Sequence, residues 1–126
     1  ANPISGIQPA ILRHDTSTLQ ALCRSQNRTI NETWSHDNGR TWSPLAQTEM
    51  PNNNSGIDAI TLKDGRQLLV YNNVKPPASV KEGWGGRSPL NVAISNDGKV
   101  WEPYAILENE PGVRTFLWLE AGFYMV

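Results

Sequence analysis

Apolar and polar residues alternate in short runs along this chain, and each run ends in a cluster of turn formers. In residues 29–35, TINETWS, the positions Ile30, Glu32 and Trp34 share one face; in residues 89–95, PLNVAIS, Leu90, Val92 and Ile94 do the same. A period of two over such runs predicts half-buried strands. The runs AILRHD and AITLKDG each lead into a tight turn, at Asp15 and at Asp64-Gly65. Each is followed by a second apolar run, LQALC or QLLVY, which is the pattern of a hairpin. Long runs of Ala, Leu, Glu and Lys are absent, while Asn, Gly and Pro are frequent. Many short strands are expected, not helices.

The pattern occurs twice. Ser5, Gly6 and Ile7 match Ser55, Gly56 and Ile57 at an offset of 50. After one extra residue at Pro9 the offset becomes 49, and Ala10, Ile11, Asp15 and Leu19 match Ala59, Ile60, Asp64 and Leu68. The third strands follow at an offset of 60, the added length lying in the loop NVKPPASVKEGWGGRS, residues 73–88. Both third strands run into an Asp-rich turn closed by Trp: SHDNGRTW from Ser35 and SNDGKVW from Ser95. A period of about 50 residues with three or four strands per unit is the mark of propeller blades.

The stretch SHDNGRTW allows three chemical readings. As a calcium loop it lacks the later acidic ligands and the closing Glu. As a catalytic Ser-His pair it fails because neighbouring strand residues point to opposite faces. As a brace it is complete: Asp37 can accept from backbone N–H groups that have no ladder partner, and Gly39 permits a left-handed backbone. Thr41 can add a side-chain bond, and Trp42 can fold back over the strands.

Composition narrows the partners. The 126 residues carry 11 Lys and Arg against 12 Asp and Glu, which points neither to nucleic acid nor to an anionic membrane. Cys23 is the single cysteine, so no internal disulfide or Cys-based zinc site is expected, and its apolar run marks a buried thiol. No metal or cofactor is expected. No run approaches the roughly 18 apolar residues of a membrane span. Sequons at Asn27, Asn31 and Asn53 slightly favour a secreted or periplasmic location without fixing it.

SHDNGRTW fits the Asp-box of the bacterial neuraminidase repeat, Ser-x-Asp-x-Gly-x-Thr-Trp, at every defined position. SNDGKVW looks like a shortened box with Val100 in place of Thr. With NSGIDAITLKDGRQLLVYN and RSPLNVAISNDGKVW, the chain resembles the sialidase-like BNR-repeat family over roughly residues 4 to 111. The resemblance implies an all-β fold, a β-propeller of sialidase type with a six-bladed parent, and about two four-stranded blades present here. Residues 1–112 would form the two blades, approximately 4–54 and 55–112. Residues 113–126 form a divergent apolar tail or the start of a further blade. The Asp-boxes (Ser35, Asp37, Gly39, Thr41 and Trp42; Ser95, Asp97, Gly98 and Trp101) would lie on the face away from the active site. The family's Tyr nucleophile, its Glu partner and two further arginines would belong to other blades.

In a propeller the inner strands start at the ligand face, and the loops between second and third strands open there too. That rule gathers Gln8, Asp58, Arg24, Asn72, Asn73 and the loop through Arg87. Asp58 is the candidate catalytic acid for a leaving oxygen, or a cap for the turn after Ser55. Arg24 can bind a carboxylate such as that of sialic acid, or pair with Glu32, which interrupts an apolar face. Arg87 is a second anion candidate or an exposed loop cation. Trp84 can offer a flat face to a sugar, or pack on its own blade. Gln8, Asn72 and Glu32 complete the substrate-binding candidates. Trp34, Trp42 and Trp101 read as core and brace, Tyr71 as a buried strand residue or rim contact, and His14 and His36 as surface turn residues.

Two functions fit: an exo-glycosidase of sialidase type acting on acidic glycans, or a non-catalytic Asp-box propeller that binds glycans or protein. The isolated segment is expected to be inactive. It is also expected to leave Ile11, Ile60, Leu69, Phe116, Leu117 and Trp118 uncovered, so that exposed blade edges favour self-association.

Overall fold

The structure, a computed structural model, describes residues 3–80, 84–109, 116–118 and 123–125. The first four-stranded antiparallel sheet runs in the order β1 (Ile7–Arg13), β2 (Leu19–Arg24), β3 (Thr29–Ser35) and β4 (Ala46–Pro51). The second repeats it with β5 (Asp58–Thr61), β6 (Gln67–Tyr71), β7 (Leu90–Ser95) and β8 (Glu102–Glu108). A two-stranded sheet pairs β9 (Phe116–Trp118) with β10 (Phe123–Met125). The side chains of Phe116, Leu117 and Trp118 lie outside the described residues.

Register follows the alternation read from the sequence. Ala10 pairs with Leu22 and Leu12 with Gln20, while Leu22 faces Glu32, so Ala10, Leu12, Gln20, Leu22 and Glu32 share one face. In the second sheet Leu69 pairs with Ala93 and Gln67 with Ser95. These two faces meet. Leu12, Leu22, Ile30, Ala59, Leu69, Tyr71 and Ala93 form the core between the sheets, with Met50, Ile57 and Trp101 packed against it. Fully burying a side chain of the Leu or Ile class is worth about 1.5–3 kcal/mol, so this seam accounts for much of the cohesion.

The extra residue at Pro9 has a structural counterpart. The β1–β2 register shifts between Ile7 and Ala10, and Gln8 takes a left-handed φ of 52°. The insertion is absorbed as a bulge that redirects the Gln8 side chain.

Two expectations are corrected here. Leu69 is not an uncovered inner position but fully buried in the core between the sheets, because Leu68 takes the other face of β6. His14 is not a free surface residue. It is half-buried in the seam, with Nε2 at 2.9 Å from Gln20 Oε1 and Nδ1 at 3.4 Å from Gln67 Nε2. Gln20 in turn donates to the Gly98 carbonyl at 2.8 Å, stitching the two sheets together. Cys23 is buried as expected, which pushes its thiol pKa up, and Gly6 lies so close that an added Cβ would sit 2.6 Å from the Cys23 Cβ.

Candidate functional site

Strands β2 and β3 are antiparallel, so Arg24 at the end of β2 and Ser35 at the end of β3 lie at opposite ends of the blade. A strand of six or seven residues spans about 20 Å. The Asp turns and the arginine candidates therefore occupy different faces.

The turn after Ser35 is a closed set of hydrogen bonds. Asp37 Oδ1 accepts the Thr41 N–H at 2.8 Å and the Ser35 hydroxyl at 2.9 Å, and Oδ2 accepts the Thr41 hydroxyl at 2.6 Å. The Gly39 N–H donates to Ser35 Oγ at 2.8 Å, and Trp42 Nε1 donates to the Gly39 carbonyl at 3.1 Å. The Thr41 hydroxyl, followed by the Thr41 backbone N–H, lowers the Asp37 pKa to about 2. The second turn reaches the same end without a Thr. Asp97 Oδ1 accepts the backbone N–H groups of Lys99 and Val100 at 2.8 and 3.0 Å, and Ser95 Oγ accepts from Gly98 at 2.8 Å. Trp101 again donates to the Gly98 carbonyl at 3.1 Å. The carboxylates and hydroxyls of both turns are spent within the turns themselves.

A cleft of about 580 Å³ opens on this face between the sheets, lined by residues including His14, Trp34, His36, Gln67, Asp97 and Lys99. Trp34 there is already packed by His14 at 4.9 Å and stacked with exposed His36 at 6.4 Å, with the Lys99 ammonium 5.6 Å from its ring.

At the opposite end Arg24 is the centre of convergence. Its Nη1 donates to Gln8 Oε1 at 3.0 Å, and its Nη2 donates to the Asn54 carbonyl and to Asn54 Oδ1 at 3.1 Å. The guanidinium carbon sits 5.5 Å from the centre of the Trp84 ring, a cation–π approach. Its Nε is buried and has no partner among the described residues. Burial, and then the positive charge of Arg87, lower the Arg24 pKa. Arg24 thus contacts Gln8 and Trp84, two of the residues that the sequence placed on this face.

The Arg24–Glu32 pair is not formed. Glu32 Oε2 instead accepts from Gln20 Nε2 at 2.7 Å in the seam between the sheets, which separates Glu32 from the arginine cluster. Asn72 is buried, and its amide donates to the Arg87 and Pro89 carbonyls at 2.7 and 2.8 Å, so it holds the loop from beneath. Tyr71 is buried in the core. Asp58 opens β5, half-buried, with Oδ1 accepting the Ala59 N–H at 2.8 Å.

Several residues escaped the sequence reading. Asn52, Asn53 and Asn54 are all buried. Asn52 Oδ1 accepts from the backbone of Ser25 and Asn54, while Asn53 Nδ2 donates to the Gly86 carbonyl at 2.5 Å. The run PNNNSG signals a turn, but nothing local in it says that the turn is internal. Asn31 is also fully buried, so two of the three sequons, Asn31 and Asn53, present no accessible amide in this fold. Among the described residues no group of three or more His, Cys, Asp or Glu could hold a metal, and no helix is long and apolar enough to cross a membrane.

Paired four-stranded antiparallel sheets, braced by Asp turns at one end and carrying clustered arginines at the other, define blades of a sialidase-type propeller. The family model described as a BNR repeat-like domain matches residues 2–120, and the chain belongs to that family. The fold is similar to that of the NanB sialidase from Streptococcus pneumoniae in complex with 2-[(3-chlorobenzyl)ammonio]ethanesulfonate. The TM-score is 0.62 at 15% identity, over 85% of this chain and 17% of that one. A point mutant of the same sialidase gives 0.61 at the same identity and coverage. The chain therefore spans about a sixth of the length of these structures, at 17%. No curated protein matches it.

Proposed function

We propose that this chain is part of an exo-glycosidase of sialidase type, removing terminal sialic acid or a related acidic sugar from glycans. In this reading Arg24 and Arg87 hold the sugar carboxylate, Gln8 orients Arg24, Trp84 faces the ring, and Asp58 protonates the leaving oxygen. Asn72 acts through the loop backbone. A Tyr nucleophile with its Glu partner and the remaining arginines would come from other blades of the ring. The observation that carries the reading is the Arg24 guanidinium, partly buried, held over the Trp84 indole by Gln8 and Asn54. A partly buried guanidinium is stabilised by an anion placed against it, and a sugar acid supplies both the anion and a ring to stack.

The test compares free sialic acid with its methyl ester, titrated into the 126-residue chain and into Arg24→Ala. The acid should bind the native chain more tightly than the ester, and the substitution should remove that difference. Equal binding of acid and ester would overturn the reading. A ring-complete protein containing this segment should hydrolyse an aryl sialoside. Binding without turnover there would mark a non-catalytic propeller.

A further inference from the structure

The loop between β6 and β7, described over residues 73–80 and 84–88, carries Trp84 and Arg87, and the side chains of Arg28, Asn53 and Asn72 hold its described backbone. Arg28, in the turn between β2 and β3, donates from Nε to the Pro77 carbonyl at 3.2 Å and from Nη2 to the carbonyls of Ala78, at 3.0 Å, and Val80. Asn53 Nδ2 donates to the Gly86 carbonyl, and the Asn53 carbonyl accepts the Gly85 N–H at 3.3 Å. Asn72 holds the Arg87 carbonyl. A Cβ at Gly85 would lie 3.1 Å from the Asn53 Cβ and 3.3 Å from both Pro76 and Val74, so the loop is packed tightly where it is gripped.

The Arg28 base is itself fixed. Arg28 takes a left-handed φ of 67°, a conformation that a long side chain rarely adopts. Its carbonyl accepts the Asn52 N–H at 3.0 Å, and its turn is closed by the Ser25 hydroxyl donating to the Thr29 carbonyl at 2.6 Å. A residue held in an uncommon backbone state, with its guanidinium spread over three carbonyls of the next blade, does more than cover a turn.

We propose that Arg28 is a positioning residue for the acidic-sugar site: it reaches from the first blade to clamp the second blade's loop, so that Trp84 stays against Arg24 and Arg87 stays above Asn72. It touches no ligand; it sets the loop's conformation before a ligand arrives. Preorganisation of this kind appears in affinity, because the cost of ordering the loop is met during folding and not on binding. The proposal rests on the reading of Arg24 and Arg87 as carboxylate binders, but the loop can be examined without a ligand.

The experiment uses the 126-residue chain, with Arg28→Ala and Arg28→Gln. The Val80 amide, which donates to the Pro77 carbonyl at 3.1 Å in the clamped loop, should exchange with solvent faster in both variants. The fluorescence change on replacing Trp84 by Phe, measured in each background, should lose its contribution from the Arg24 contact. Sialic acid affinity should fall about tenfold or more, of the order that misplaced groups cost. Methylguanidinium, supplying the missing donors, should restore part of the Val80 protection in Arg28→Ala. If Arg28→Ala does not fold, Arg28→Gln carries the same measurements with chain length kept. Native Val80 exchange and Trp84 emission in a folded variant would overturn the clamp, whatever the ligand does. Loss of protection together with sialic acid binding that is insensitive to Arg24→Ala would keep the clamp and remove the carboxylate reading instead.

Discussion

Asp37 shows how a polar residue can look catalytic and be structural. Its two carboxylate oxygens are occupied by Ser35 and Thr41, and the Thr41 bonds hold its pKa at about 2, below the ordinary 3.8. A depressed folded pKa means stability that is present above the unfolded value and lost as pH falls through about 2. Solvent exposure keeps the effect modest. Thr41→Val removes the largest cause, so it should lower the melting temperature at neutral pH, with the gap to native closing between pH 4 and about 2. A gap independent of pH would show that the hydroxyl acts by some route other than the Asp37 charge. In the proposed reading Asp58 is the contrasting case. In a ring-complete protein Asp58→Asn should keep the fold and lower turnover by about 10²–10⁴, and a substrate whose leaving group needs no proton should be rescued. Native turnover on both substrates would rule out the acid role.

The blade is legible in the sequence because its parts are local. Period-two alternation, paired hairpin turns and the Asp-box each occupy fewer than ten residues, and all three emerged in register with the structure. What the sequence hid lies between elements. Glu32 and Arg24 share a face and could have paired, yet Gln20 reaches Glu32 first while Asn54, from the linker between blades, takes Arg24. Neither partner is adjacent in sequence. His14 and Gln67 meet across the seam for the same reason. The seam also makes a prediction about two glycines. Gly65 and Gly98 both have positive φ, 91° and 75°, but an added Cβ meets nothing at Gly65, whereas at Gly98 it would lie 2.2 Å from Gln20 Oε1 and 2.7 Å from His14 Cε1. Gly65→Ala should cost only the left-handed backbone, roughly 1–2 kcal/mol. Gly98→Ala should add overpacking of roughly 1–3 kcal/mol and loosen the contact between blades. Denaturation midpoints of the two variants separate the contributions, and equal losses would mean that the seam yields freely around Gln20.

Two blades leave surfaces that a ring would cover. Ile11 and Ile60, on the inner strands, are 47% and 41% exposed, and Tyr104 and Ile106 on β8 are 64% and 61% exposed. β8 ends its sheet, so one side of it also presents unpaired backbone groups. Apolar area left in water forgoes about 25 cal/mol per Å² relative to burial, and each blade of a repeat fold draws part of its stability from its neighbours. On the proposal that this segment works inside a larger ring, residues 1–126 alone should be marginally stable, should bind a hydrophobic dye, and should self-associate as concentration rises. They should not hydrolyse an aryl sialoside, because in the proposed reading Arg24, Arg87 and Asp58 would supply an anion site and an acid while the nucleophile would come from other blades. Sedimentation velocity over a concentration series, with a sialoside assay on the same samples, checks both statements. A monomer with a sharp, high melting transition would mean that the apolar strands are covered from within the chain. Turnover by that monomer would place the whole reaction on two blades and end the requirement for a ring.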